Sequence, residues 1–265
     1  MRKKSVIVIF LTVLILLSGV ALGVSSVYRV EFVCVNAPLV SIAAKDEVDD
    51  LQEKLQAAYE KQSTFSVEKT LAEEILEDFP YFRLVSFEKA YPNRIVVEVS
   101  EDEEVYATPA GTDGSYYILN GEGTVLGIRE NYLNRSDNAE NLLITGVTVS
   151  GEKGAPLAGD DSLETLFSVC ADVSLRLNGI RKNVTVVEVI RPTSLKEDTM
   201  FKFTMREGVS IYLFNPFEMK EKKTEIAIDK YLSLSSEERL RGTIVVSEQA
   251  DEVVAQYFEE EWSIS

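Results

Sequence analysis

The chain has 265 residues, with Lys+Arg 27 against Asp+Glu 44, no histidine and a formal charge of -17. Two cysteines far apart, Cys34 and Cys170, cannot build a disulfide framework or a thiolate metal site, and without histidine an imidazole base and most zinc or haem sites are excluded. So acidic a chain repels polyphosphate, which argues against a nucleic-acid partner.

After Met1-Arg2-Lys3-Lys4 the next charged residue is Arg29, so the intervening run is uncharged and mostly Val, Ile and Leu. As a helix it reaches roughly 35 Å against a ~30 Å hydrocarbon layer. This predicts a transmembrane helix over residues 5–27 behind a cytoplasmic tail of residues 1–4, with the bulk outside a cell membrane crossed once. Ala21-Leu22-Gly23, Ser25 and Ser26 offer a cleavage site. A cleaved signal has a shorter apolar core, about 7–15 residues, so an uncleaved anchor is the expectation. Cys34 follows Arg29 and Glu31, the wrong place for a lipoprotein signal. The exported part keeps 24 basic and 44 acidic side chains, net -20, and should shun anionic lipid and wall polymers.

Tyr28 to Val35 alternates loosely and reads as a strand. Val48, Leu51, Leu55 and Tyr59 fall at helical spacing over Asp46 to Tyr59. A second helix is expected with Ser66 as its cap, Val67, Leu71 and Ile75 on one face, and Pro80 ending it. Phe82 to Lys89 and Arg94 to Ser100 read as strands joined by the structural turn Tyr91-Pro92-Asn93, with Ile95, Val97 and Val99 on one face.

That order predicts a small POTRA-like β-α-α-β-β domain over residues 28–107. Pro80-Tyr81-Phe82, Phe87, Tyr91-Pro92-Asn93 and Ile95-Val96-Val97-Glu98-Val99 resemble the POTRA signature of the FtsQ/DivIB family of bacterial cell-division proteins. Tyr117-Ile118-Leu119-Asn120-Gly121-Glu122-Gly123-Thr124-Val125 is similar to the hairpin opening the family's second, beta-rich domain. Val209 to Leu213, the helix around Lys220 to Lys223, and Arg241-Gly242-Thr243-Ile244-Val245-Val246 resemble its closing elements. The chain departs from the family where Glu101 is followed by Asp102, Glu103, Glu104 and Val105, with the Arg and Pro of Glu-Arg-x-Pro-Val missing, at Asn120 in place of aspartate, and at Phe214 in place of glycine. The fold class expected is α+β: a transmembrane helix, the POTRA-like domain, a mixed β-sheet domain with helices over residues 108–248, and a C-terminal tail of residues 249–265.

In the second domain Asp161 and Glu164 suggest a capping box for a helix burying Leu163, Leu166, Phe167, Cys170 and Leu177 and ending at Gly179. Cys170 is thus a buried small hydrophobe. Val184 to Ile190, Met200 to Met205 and Val209 to Phe214 read as strands, and Asn215-Pro216 as a helix start. Ser66-Val67-Glu68-Lys69 matches S-x-x-K, but its companions are missing: Lys223-Thr224-Glu225 lacks the glycine of K-T-G, and there is no S-D-N. Gly121-Glu122-Gly123 with Gly127 reads as a turn. Glu101 to Glu104, Asp160-Asp161 and Glu259 to Glu261 read as solvated charge, since EF-hand spacing is absent. The sequons at Asn134 and Asn183 carry no meaning in a bacterium.

The expectation is a non-enzymatic protein needing no cofactor and no metal, with no small-molecule substrate, binding by strand addition to exposed sheet edges. The resemblance implies a bitopic scaffold at the division septum that holds membrane proteins of the FtsL and FtsB/DivIC type and regulates septal wall synthesis. It places the partner surface on the C-terminal edge strand, here Thr243, Ile244, Val245 and Val246. Val254, Tyr257, Phe258 and Trp262 stand at near-helical spacing in Asp251 to Trp262, so Tyr257, Phe258 and Trp262 read either as partner anchors or as a frayed helix packed on its own sheet. The alternative is a POTRA-type assembly protein of a secretion or spore-envelope complex.

Overall fold

A computed structural model describes residues 2–38, 40–111, 113–250, 252–260 and 262. It divides into two units, Met1–Asp102 and Glu103–Ser265. The division precedes the expected boundary at 107/108 because the segment after Asp102 already leads into the second sheet.

The first helix, α1 (Arg2–Val27), corrects the expected fold class. Among the described residues no helix is long and apolar enough to cross a membrane. The chain is a mixed α/β fold, and the transmembrane element drops out.

Unit 1 continues with β1 (Phe32–Asn36), α2 (Lys45–Tyr59), α3 (Lys69–Leu76), β2 (Phe82–Ala90) and β3 (Arg94–Glu101). The strand order is β1-β3-β2, with β1 parallel and β2 antiparallel to the central β3. Period-two alternation sends Ile95, Val97 and Val99 to one face, where Leu51, Leu55 and Tyr59 of α2 cover them; all six are fully buried. The three α2 side chains contribute roughly 5–9 kcal/mol of transfer free energy before conformational entropy is charged against it. The Tyr59 hydroxyl donates to Glu68 O at 2.7 Å, tying the two helices together. Ser66 is not the cap of α3: the helix starts at Lys69, and the Ser66 hydroxyl donates to Ser63 O at 3.1 Å. The Tyr91-Pro92-Asn93 turn contains a cis Tyr91–Pro92 peptide and is held from both sides. Thr64 Oγ1 donates to Pro92 O at 2.7 Å, and Glu31 N donates to Asn93 O at 2.9 Å.

Unit 2 contains β4 (Tyr106–Pro109), β5 (Tyr116–Leu119), β6 (Val125–Arg129), β7 (Leu142–Thr145), the short pair β8 (Val149–Ser150) and β9 (Ala158–Gly159), α4 (Leu163–Arg176) and α5 (Ile180–Asn183). Then come β10 (Val184–Ile190), β11 (Met200–Met205), β12 (Ser210–Phe214), α6 (Lys220–Ser233), β13 (Thr243–Gln249) and β14 (Glu252–Phe258). Nine strands form one sheet in the order β14-β13-β12-β11-β10-β7-β4-β5-β6. The parallel pairs β7–β10 and β12–β13 are bridged by α4 and α6. The two crossovers advance in the same direction between strands of the same sense, so a shared right hand puts both helices on one face. There Leu166, Val169, Cys170 and Val173 of α4 meet Ala227, Ile228 and Tyr231 of α6 over Ile144, Val187, Phe203, Ile211 and Ile244.

Three expectations change here. The capping box is absent: α4 starts at Leu163, and Asp160 Oδ1 accepts from Ser162 N at 2.9 Å and from the Ser162 hydroxyl at 2.6 Å. Helix α6 begins at Lys220, not Asn215-Pro216, because Asn215 (φ 42°) and Met219 (φ 48°) are both left-handed and form a loop. The C-terminal segment is neither a frayed helix nor a tail, since Glu252–Phe258 is a strand of the main sheet. Val253, Ala255 and Tyr257 face the helices, which is period two, and the helical spacing of Val254, Tyr257 and Phe258 is coincidental.

Candidate strand-docking edges

In each of the two larger sheets one edge is engaged, along its length or at its start, by local groups, and among the described residues the other edge strand has a single neighbour. In unit 1, Phe32 N donates to Asn93 O at 3.3 Å. The alternation of a parallel ladder then turns Phe32, Cys34 and Asn36 toward β3 and points the N–H groups of Val33 and Val35 outward. Two glutamines one turn apart on α2 take those groups. Gln56 Oε1 accepts from Val33 N at 2.7 Å while its Nε2 donates to Glu31 O at 3.1 Å, and Gln52 Oε1 accepts from Val35 N at 3.3 Å. The edge of β1 is therefore sealed by side chains. At the opposite edge β2 pairs with β3 alone, and its register aims the backbone of Phe87 and Lys89 away from the sheet.

In unit 2 the loop after β8 covers the start of β6: Val125 N donates to Ala155 O at 2.9 Å, Gly154 N to Val125 O at 2.8 Å, and Thr124 bridges Pro156. The other end is β14. Ser210 N donates to Gly242 O at 3.1 Å, so even-numbered residues of β13 face β12 and Thr243, Val245 and Ser247 face β14. Their partners Phe258, Gln256 and Val254 point inward, and the backbone of Val253, Ala255 and Tyr257 points out.

This corrects the edge expectation for Thr243, Ile244, Val245 and Val246. They lie in β13, an interior strand paired with β12 on one side and β14 on the other. Thr243, Ile244 and Val246 are buried and Val245 is half-buried. The fold still gathers the selected residues: Thr243 lies opposite Phe258, Ile244 lies opposite Tyr257, and Trp262 N donates to Thr243 Oγ1 at 3.1 Å. The Trp262 ring packs edge-on against Tyr212 and Phe214, at 5.3 Å and 5.4 Å, on the sheet face away from the helices. The Tyr257 hydroxyl donates toward Glu238 O and Arg241 O, both at 3.2 Å. Desolvation, then the charges of Glu238 and Glu259, push its pKa above the ordinary tyrosine value. Gly242 (φ 87°) lies so close that an added Cβ would sit 2.4 Å from Phe258 O.

The other candidates have local roles. The Ser66 hydroxyl is turned to Ser63, and Lys69 pairs with Glu73 at 2.8 Å. Cys170 is fully buried, and desolvation holds its thiol pKa well above the usual range. Among the described residues no group of three or more Cys, Asp or Glu is placed to hold a metal ion. A cleft beside Asp160, Arg191, Lys196 and Phe217 has its charges engaged: Arg191 reaches Asp160 at 2.5 Å, Gly146 O at 2.8 Å and Ser162 Oγ at 3.0 Å, and Lys196 lies over the Phe217 ring. Buried Lys223 donates to Asn215 O at 2.8 Å and bears on the loop before α6; burial pulls its pKa below the usual lysine value.

Sequence reasoning passed over Gln52, Gln56 and Ala255. The i,i+4 spacing of the glutamines was a usable signal for one shared helix face, but their target is a strand twenty residues back. No protein-family model matches the chain, and no curated protein matches it.

Proposed function

We propose that this protein is a non-catalytic docking protein of the FtsQ/DivIB kind that receives strands from partner membrane proteins during septum formation. The observation that carries the reading is the asymmetry of the rims: Gln56 and Gln52 take the outward amides of β1 and the Gly154–Pro156 loop covers the start of β6, while among the described residues β14 ends its sheet with three residues aimed outward. Backbone groups there offer a ladder to an extended segment, and alternate side chains set its register. The partners are membrane proteins of the FtsL and FtsB/DivIC type, and the site of action is the division septum. The partner surface moves from β13 to β14, with Ala255 at its centre and Tyr257 and Phe258 toward its end.

The test is a photo-crosslinker at Ala255 in growing cells, with midcell fluorescence of the tagged chain alongside. Capture of division membrane proteins and enrichment at midcell are expected. Capture of a secretion or spore-envelope channel, with uniform envelope staining, would assign the same edge to the other pathway.

A further inference from the structure

Strand β14 is thinly anchored for one that ends a nine-stranded sheet. Of its seven residues only Val253 is buried, beside the turn from β13, and Phe258 at the opposite end is 40% exposed. An edge end held that lightly opens at a free-energy cost near zero. Support for the Phe258 end comes from both faces. On the helix side the Tyr257 hydroxyl contacts are long, both at 3.2 Å. On the other side Trp262 folds back across the sheet. Its N–H donates to Thr243 Oγ1, opposite Phe258, and its ring packs edge-on against Tyr212 and Phe214 of β12. Lys202 Nζ lies over the same Tyr212 ring at 5.4 Å. With these groups on it, Tyr212 is only 4% exposed on the face that α4 and α6 do not cover.

We infer that Trp262 is a positioning residue for the docking rim: seated on β12, it clasps the Phe258 end of β14 and so fixes the outward backbone of Ala255 and Tyr257 in one geometry. The inference rests on the reading of β14 as the rim that receives a strand. Distance separates this role from direct contact. A strand added to β14 lies three strand spacings from β12, about 14 Å, so the indole over Tyr212 and Phe214 acts on it through β14. The magnitude follows from what the clasp adds. Two edge-to-face ring pairs and one hydrogen bond together favour the closed end by roughly 30-fold. Without them the end is open about half of the time, and the affinity for an extended segment falls with the fraction that stays closed.

The test follows the full chain by amide exchange in NMR and by capture in growing cells with a photo-crosslinker at Ala255. In the wild type the inward amide of Phe258 should exchange roughly 30-fold more slowly than a free amide, and in Trp262→Ala close to the free rate. Inward Val254, next to buried Val253, should change by less than about threefold. Trp262→Phe keeps a ring on Tyr212 and should restore most of the protection at Phe258, and Phe214→Leu, which removes one ring contact, should give an intermediate rate. Capture of division membrane proteins at Ala255 should fall about twofold or more in Trp262→Ala and recover in Trp262→Phe. Unchanged exchange at Phe258, equal acceleration at Val254 and Phe258, or unchanged capture in Trp262→Ala would overturn the inference and leave the rim reading standing. So would a crosslinker at position 262 that captures the partner as well as one at Ala255, because it makes Trp262 a contact residue. No capture at Ala255 in the wild type would overturn the rim reading itself, and this inference with it.

Discussion

Replacing Gln56 with alanine removes both the acceptor for Val33 N–H and the donor to Glu31 O, and leaves the Val33 amide beside a buried side chain. Two hydrogen bonds at about 1 kcal/mol each put the local cost near 2 kcal/mol. In the regime where amide exchange reports local opening, that corresponds to roughly 30-fold faster exchange at Val33. The amide of Val35, held by Gln52, should change by less than about threefold, because its acceptor is untouched. Residue-resolved hydrogen exchange by NMR reads both sites in one experiment, with outward Phe87 and Lys89 of β2 as open-edge references. The expected wild-type order is slow exchange at Val33 and Val35 and fast exchange at Phe87 and Lys89. Gln56→Glu, which keeps an acceptor but sets a carboxylate against Glu31 O, should fall between wild type and alanine. If Val33 exchanges as fast as Phe87 in the wild type, or is unmoved by Gln56→Ala, the glutamine seal is not the reason β1 is closed.

Ala255→Pro removes an outward N–H while sparing the inward bonds of β14, so the chain should fold and its captured partner should bind roughly 30-fold more weakly, about 2 kcal/mol by calorimetric titration. Unchanged affinity would exclude β14 as the docking rim. Burial raises the Tyr59 phenol from 10.0 to about 12. The unfolded chain then ionises first, so this contribution is intact below pH 10 and is lost as pH rises toward 12. Unit 1 should lose about 3 kcal/mol of stability across that window, and Tyr59→Phe should flatten the slope. Gly242→Ala adds a Cβ at φ 87°, 2.4 Å from Phe258 O, and should cost at least about 2 kcal/mol in denaturant unfolding and speed exchange across the inward amides of β14. Lys223→Met keeps most of the packing volume without a buried cation and should leave Tm unchanged or higher, whereas Lys223→Ala should lower stability by about 2–3 kcal/mol.

Legibility in the sequence follows how local each determinant is. Ile95, Val97 and Val99 announce β3 because one face of a three-stranded sheet must be apolar, and Leu51, Leu55 and Tyr59 announce α2 by the same logic at period 3.6. The helix starts at Ser66, Asp161 and Asn215 go astray because a capping residue type is common in any loop, and here those segments are fixed by Ser63, by Ser162 with Arg191, and by two left-handed residues. Strand order depends on pairings between distant segments. Even so, Thr243-Ile244-Val245-Val246 carries a signal, since an unbroken apolar run without alternation is what a parallel interior strand shows, and β13 is parallel to β12. The edge role of β14 is set by the absence, among the described residues, of a further strand beyond it in the sheet, which no residue in Glu252–Phe258 encodes. The glutamine seal needs side chains from α2 to meet a backbone across the fold, and polar residues on a helix carry no label for that use.

From β7 onward the spatial sequence of strands in the large sheet, β7-β10-β11-β12-β13-β14, repeats their order along the polypeptide. A chain emerging from its N-terminal side can therefore add each strand to the one made just before it, with no rearrangement of what has already formed. At every stage the newest strand is the growing margin, and the apolar run of β13 holds that position until β14 arrives. Translation that stalls before Glu252 would leave this sticky run at the margin, so the residues of β14 also protect the nascent chain from aggregation.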